Sequence, residues 1–365
     1  MRFVAATMVF ALHVMVEGIF ASGASHPMLF KMLALGGGAG VGFFFVLSGF
    51  VLTWSARPDD TPRRFWRRRF FKIYPNHVLT FLAAVLVITL LVGNAVGLAD
   101  AVRNLFLLQA FFPQARTITG VNPVAWSLSC EAFFYLCFPF LLGLVRRIRP
   151  ERLWMWAVGV VAVIFLVPLA SGLLPAQQPY PILGVTEWET WFIYHFPPVR
   201  MLDFVFGILL AQMVLTGRRI PLGYTGSVLL SVVVYALTPL IPPTYAFVAA
   251  LCVPLGLVIA NGAVADRDGR RTGLSGRVWV WLGEVSFAFY MWHRLILITG
   301  HDLLGAGEAW PTPVALAVSA LLFAVTLLVS WLTFRLFEGP VMRRFGTAGG
   351  ARRARPGGGQ VGAPV

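Results

Sequence analysis

The run ALGGGAGVGFFFVLSGFVLTW, residues 34–54, contains no charged side chain. About 20 mostly apolar residues suffice for a helix to cross a bilayer, so this run predicts a transmembrane helix on its own. The small residues from Gly36 to Gly42 suit close approach by a neighbouring helix. Stretches of the same kind recur at about 3–20, 75–96, 124–145, 153–170, 199–216, 222–239, 243–260, 278–299 and 312–334. Short polar or Pro/Gly-rich connections separate them. The expected fold is an all-α integral membrane protein with about ten transmembrane helices. LFLLQAFF, residues 105–112, is apolar but too short to span, and reads as a re-entrant or interfacial piece.

Composition agrees. Of 365 residues, 58% are hydrophobic and 12% charged, against about a quarter charged in a soluble domain. Mean hydropathy is +0.78. The remaining polar sequence is too short for a separate soluble domain, which leaves a membrane domain over residues 1–340 and a tail over 341–365. The tail, rich in Gly, Pro and Arg without periodicity, is expected to be a disordered basic cytoplasmic segment. No small-x-small cleavage site follows the N-terminal apolar run, which reads as the first span rather than a signal peptide. Cys130, Cys137 and Cys252 lie in apolar segments without metal-ligand spacing, so structural thiols and no metal site are expected.

The net charge of +14 would suggest nucleic acid in a soluble protein, but its distribution argues otherwise. With the N-terminus inside, Lys31, Arg103, Arg116, Arg200 and Arg294 are the only five of 29 Lys and Arg that fall outside or in outer halves of spans. The positive-inside rule then places both termini in the cytoplasm of a multi-pass plasma-membrane protein. Attraction to anionic membrane lipid follows from the same charges, and no nucleic-acid partner is implied.

Within the spans stand polar groups that are costly in hydrocarbon. His13 lies eleven residues after Arg2, or roughly 16 Å along a helix, near the bilayer midplane. Glu17 follows at i+4 on the same face. A near-neutral imidazole there is a natural proton acceptor for an alcohol attacking a thioester, or His13 and Glu17 hold helices together. Glu131, behind Trp126, Ser127 and Ser129, is suited either to orient a histidine or to fix an arginine. Arg200 and Asp203 are spaced as a buried pair. Ser286, Tyr290 and His293 or Arg294 recur every three or four residues, a polar stripe that implies a lined polar cavity. Glu338-Gly339-Pro340 is expected to stop the last helix and to offer a carboxylate beside Arg335.

Between the second and third spans, ARPDDTPRRFWRRRFFKIYPNH concentrates basic residues, with Arg67, Arg68, Arg69 and Lys72 at its centre. They suit the phosphates of a coenzyme A nucleotide, and anionic lipid headgroups equally. The external loop 171–198 interleaves Gln177, Glu187, Glu189 and His195 with aromatic residues, as an interfacial belt or an acceptor groove would. The absence of GxxxxGK[ST], HExxH, GxSxG, or GxGxxG after a strand weakens ATPase, zinc hydrolase, esterase and dinucleotide-binding readings. No internal repeat supports a transporter.

Taken in order, RFVAATMVFALH, GVGFFFVLSGFVL, RRRFFKIYP, WSLSCEAFFYLCFP, RMLDFVFGILL, LGEVSFAFYMWH and FEGP resemble the membrane acyltransferase-3 family over roughly residues 2–340. The resemblance implies ten helices around a cavity and an O-acyltransferase that takes an acyl group, acetyl in the first instance, from cytoplasmic acyl-coenzyme A. The implied acceptor is a hydroxyl of a saccharide or glycosylated small molecule. The alternative is a macrolide or other antibiotic in place of an envelope glycan. It also implies His13 as the catalytic histidine, Arg2 as its paired arginine and Glu131 as the functional acid. Arg69 matches the first arginine of the family's R-x-x-R, where Lys72 replaces the second and loses the planar fork. Glu17, Arg200, Tyr290 and His293 are supporting candidates: Glu131 or Glu17 to steady the imidazolium, and Arg200 or Tyr290 to support the oxyanion.

Overall fold

The computed structural model describes residues 1–21, 27–57, 60–91, 93, 95–175, 177, 184–270, 272–274, 276–305 and 307–346. Ten helices correspond to the ten apolar runs: α1 (Arg2–Val16), α2 (Pro27–Trp54), α3 (Pro62–Leu90), α5 (Ala125–Arg146), α6 (Leu153–Ser171), α7 (Pro197–Leu215), α8 (Gly223–Leu237), α9 (Ala249–Arg267), α10 (Arg277–Gly305) and α11 (Thr312–Thr333). A short α4 (Leu98–Leu105) precedes the expected re-entrant piece. Apart from one isolated bridge, Phe20 to Trp310, no β-structure occurs among the described residues.

Eight of these helices are long and apolar enough to cross a membrane, which makes the chain a multi-pass membrane protein. The other two are α1 and α10. At 15 residues α1 is about 22 Å long, short of a hydrocarbon core of about 30 Å. In contrast, α10 has 29 residues but carries charge along its length. These two hold His13 and His293, and they pack against each other. The helices least suited to lipid thus meet inside the bundle, where protein replaces it.

Glycine positions set the central crossing. A Cβ on Gly49 of α2 would collide with the Phe204 carbonyl, and one on Gly207 of α7 with the Val46 carbonyl. This reciprocal pair brings two backbones together, as small residues do where no hydrophobic effect drives association. A Cβ on Gly40 would meet the Ala5 carbonyl at 2.8 Å, so α1 is drawn against α2 the same way. Beyond α1, Ala21 N–H donates to the Trp310 carbonyl at 2.9 Å and Trp310 N–H to Ile19 at 2.9 Å, fixing its outer end.

Two helix boundaries differ from the sequence expectation. The basic cluster is not a connection: α3 starts at Pro62, behind a Thr61 cap whose hydroxyl accepts from Arg64 N–H at 3.4 Å, and runs through Pro75. Glu338-Gly339-Pro340 does not stop the last helix, which continues through π-helical turns at Phe334–Glu338 and Met342–Gly346. Residues 341–346, assigned to the tail, therefore extend the folded domain, and the rest of the tail lies outside the described residues. The 105–112 stretch turns back on itself: Leu107 has φ 57°, its carbonyl accepts from Ser129 Oγ at 2.5 Å, and Gln109–Phe111 forms one 3-10 turn.

Candidate active site

Eleven residues make just over three helical turns, so Arg2 and His13 project from the same face of α1 at different depths. His13 Nδ1 lies 2.9 Å from the Val9 carbonyl and 3.0 Å from His293 Nε2. His293 is fully buried, with Nδ1 2.6 Å from the Tyr290 carbonyl and its ring stacked on Phe289 at 6.2 Å. A carbonyl only accepts, so both Nδ1 atoms are assigned the hydrogen. The one His13 Nδ1–H is then shared between two acceptors, the Val9 carbonyl and His293 Nε2, and His13 Nε2 keeps a free lone pair. The arrangement is a pair of neutral imidazoles with one basic nitrogen open.

Neither acid proposed to steady His13 touches it. Glu17 pairs with Arg294 and lies 3.6 Å from His301 Nδ1, one turn beyond the histidines. Glu131 Oε2 accepts from Tyr135 O–H at 2.6 Å. Arg2, Arg69 and Lys72 lie within electrostatic reach of Glu131. Ser127, Glu131 and Tyr135 follow at i, i+4 and i+8, one polar stripe on α5. At its N-terminal end, Ser127 Oγ lies 2.8 Å from Tyr290 O–H, one turn from His293. The stripe connects Glu131 to the histidine pair.

Arg67, Arg68, Arg69 and Lys72 of α3 part company. Arg67 Nε donates to the Phe345 carbonyl at 3.2 Å, and Arg68 pairs with Asp60. Arg69 turns inward over the Phe65 ring at 5.6 Å, its buried Nε without a hydrogen bond. Lys72 pairs with Glu338, which also accepts from Asn76 Nδ2 at 2.6 Å. Glu338 was expected beside Arg335, but Arg335 stacks over Trp331 at 5.5 Å instead. Arg69, Lys72, Asn76 and Thr80 share one face of α3. Asn76 had escaped notice, although its spacing from Arg69 and Lys72 continues that face.

Arg200 and Asp203 form the expected buried pair at 3.0 Å. Arg200 packs over the rings of Phe45 at 5.1 Å and Tyr194 at 5.8 Å, and no hydrogen bond, ion pair or ring contact joins it to His13 or His293 among the described residues. In the loop before α7, Thr186 and Glu189 close a capping box, Trp188 N–H donates to Gln177 at 3.2 Å, and Trp191 Nε1 donates to the Ala110 carbonyl at 3.0 Å. Gln177, Thr186 and Glu189 are thus spent on the loop's own folding. The described residues hold no group of three His, Cys, Asp or Glu arranged for a metal. A cavity of about 480 Å³ lies behind α1, lined by Phe3, Thr7, Ala11, Gly36, Tyr235 and Phe323. It faces away from His13 and is almost wholly apolar.

A sequence profile described as an acyltransferase domain matches residues 1–335, which span the histidine pair, Glu131 and the basic residues of α3 and end before Glu338. The chain belongs to the membrane acyltransferase-3 family. It is therefore an O-acyltransferase that uses acyl-coenzyme A and a hydroxylated acceptor, the chemistry common to the family. The acyltransferase is 41% identical over 356 residues to acyltransferase MdmB of Streptomyces mycarofaciens, covering 95% of this chain and 91% of that one. It is 29% identical over 333 residues to the exopolysaccharide production protein ExoZ of Rhizobium meliloti, covering 88% and 93%. Identity to the peptidoglycan O-acetyltransferase OatA of Listeria monocytogenes is 24% over 340 residues, covering 85% of this chain and 52% of the relative. No solved structure matches the chain.

Proposed function

We propose that this acyltransferase moves a short acyl group, acetyl first of all, from cytoplasmic acyl-coenzyme A to a hydroxyl of a macrolide or similar glycosylated antibiotic. The observation that carries the reading is the polar file that leads from Arg67 and Arg68 at one end of α3, past Arg69, Glu131 and Tyr135, to Ser127, Tyr290 and the histidine pair. The basic residues favour placing that entrance, and both termini, in the cytoplasm. Arg67 and Arg68 then meet the donor's phosphates, and Arg2, Arg69 and Lys72 with their carboxylates line the neck through which the thioester reaches His13.

His13 Nε2 takes the hydroxyl proton as the acceptor oxygen attacks the acyl carbonyl. The C–O bond forms, the C–S bond breaks, and the coenzyme A thiolate leaves, regaining a proton from His13. Direct transfer needs no acyl-enzyme. Tyr290 O–H, beside Ser127, is the nearer of the two proposed oxyanion donors. Arg200, spent on Asp203, supports the bundle.

Identity to MdmB at nearly full length on both sides favours the antibiotic acceptor over the envelope glycan, for which ExoZ and OatA are more distant relatives. Membranes holding the protein, given labelled acetyl-coenzyme A with either a glycosylated macrolide or an envelope glycan, separate the two. Label on the macrolide is expected. Label on the glycan alone would replace the acceptor, and label on neither would remove the acceptor reading altogether.

A further inference from the structure

His13 has no carboxylate behind it. In a catalytic triad the imidazole is held in one tautomer, and its developing charge is met, by an acid at Nδ1–H. Here Nδ1–H lies between two neutral acceptors, the Val9 carbonyl at 2.9 Å and His293 Nε2 at 3.0 Å, and of these only the imidazole can take up a proton. We propose that His293 is the positioning partner of His13: it accepts the Nδ1 hydrogen, fixes Nε2 as the open base, and shares the positive charge formed during transfer. The proposal rests on the reading of His13 as the base.

Three features make His293 suited to this. Its own tautomer is fixed from behind by the Tyr290 carbonyl at 2.6 Å, so Nε2 is always the acceptor. Its ring is clamped by Phe289, stacked at 6.2 Å with 6° between planes, and by Phe10 at 6.3 Å. A neutral partner in the membrane interior also avoids the cost of an unpaired carboxylate in the resting state. The charged groups around the pair are already engaged. Arg294 on α10 pairs with Glu17 on α1, and His301 on α10 lies against Glu17. On α5, Glu131 is held by Tyr135. Lys31, the one charged residue of α2, donates to the Pro239 carbonyl at 3.1 Å. When His13 Nε2 takes the acceptor proton, the Nδ1 hydrogen shifts toward His293 Nε2 while His293 keeps its own hydrogen on Tyr290. The positive charge spreads over two rings, and it returns as the thiolate is protonated.

Two readouts test this on the full chain in nanodiscs: acyl transfer to the accepting hydroxylated substrate, and carbethoxylation of His13 by diethylpyrocarbonate followed by peptide mass spectrometry. The second needs no acceptor. H293F should lose on the order of 100-fold in transfer without a change in donor KM. The pH midpoint of His13 carbethoxylation should fall by about one unit, because the charged form loses a hydrogen-bond acceptor. H293Q, which keeps an acceptor oxygen, should recover part of the transfer rate and lie between the two in midpoint. If H293F does not fold, the H293Q midpoint decides alone, and a wild-type value overturns the proposal. Wild-type transfer and midpoint in H293F also overturn it, and leave the base reading intact if H13A is inactive. Full transfer in H13A removes the base reading itself.

Discussion

The ammonium of Lys72 pairs with the carboxylate of Glu338, 266 residues further along the chain, and so ties the end of α11 to the middle of α3. Glu338 is almost completely buried and Lys72 is about one-third exposed, so each loses differently when the other is removed. K72A leaves the almost fully buried carboxylate without its cation, at a cost of roughly 3 kcal/mol, whereas E338A leaves a partly exposed ammonium and the Asn76 amide without their acceptor. The melting temperature in detergent should fall by several degrees in K72A and by less in E338A. Equal losses in K72A and E338A would mean that burial of Glu338 is not what matters.

Gly49 and Gly207 meet across the α2–α7 crossing, where an added methyl has only backbone to displace. G49A or G207A should each cost about 1–3 kcal/mol through overpacking. G49L should abolish the monodisperse peak in size-exclusion chromatography. A normal G49L profile would show that the two helices are free to move apart.

Arg69 lies over the Phe65 ring within electrostatic reach of Glu131. R69A should raise the donor KM about ten-fold or more, with R69K intermediate because it keeps charge without the fork. R67A should weaken donor binding more gently and more strongly at low salt, since Arg67 is exposed. An R69A enzyme with unchanged donor KM would detach Arg69 from the donor.

Cysteine accessibility checks the orientation. On a background with Cys130, Cys137 and Cys252 replaced, S55C after α2 and D268C after α9 should react with an impermeant maleimide only when it has access to the cytoplasmic side. L173C, where Leu173 is 88% exposed beyond α6, should react only from outside. The reverse pattern would invert the proposed topology.

Acidification should slow transfer. A protonated His13 has no lone pair for the acceptor hydroxyl, so activity is present at the alkaline side of the His13 titration and lost as pH falls through it. Rates of transfer to the hydroxyl acceptor between pH 5 and 9 check this. A rate that rises as pH falls through that range would exclude a free imidazole as base.

The helices themselves were legible because apolar length is a local property, and ten runs became ten helices. The polar stripe through Tyr290 and His293 was legible for the same reason, since helix faces follow from spacing alone. The contact between His13 and His293 was not, because 280 residues separate them and either Glu17 or Glu131 satisfied the local pattern. Glu338 misled for a different reason. Three residues after Arg335 it should share that residue's face, but the π-helical turn at Phe334–Glu338 changes the phase and swings it toward α3. Pro62 and Thr61 did carry the start of α3, as a proline in the first turn behind a hydroxyl cap, beneath the more conspicuous run of arginines.

The central claim is that His13 is the base for transfer from acyl-coenzyme A to a hydroxyl. The most direct measurement follows label from acetyl-coenzyme A to a glycosylated macrolide in membranes that hold wild-type or H13A protein. The account predicts an ester-linked label with wild type and a loss of at least about 100-fold with H13A at equal protein level. Label that persists on the same hydroxyl in H13A would contradict it.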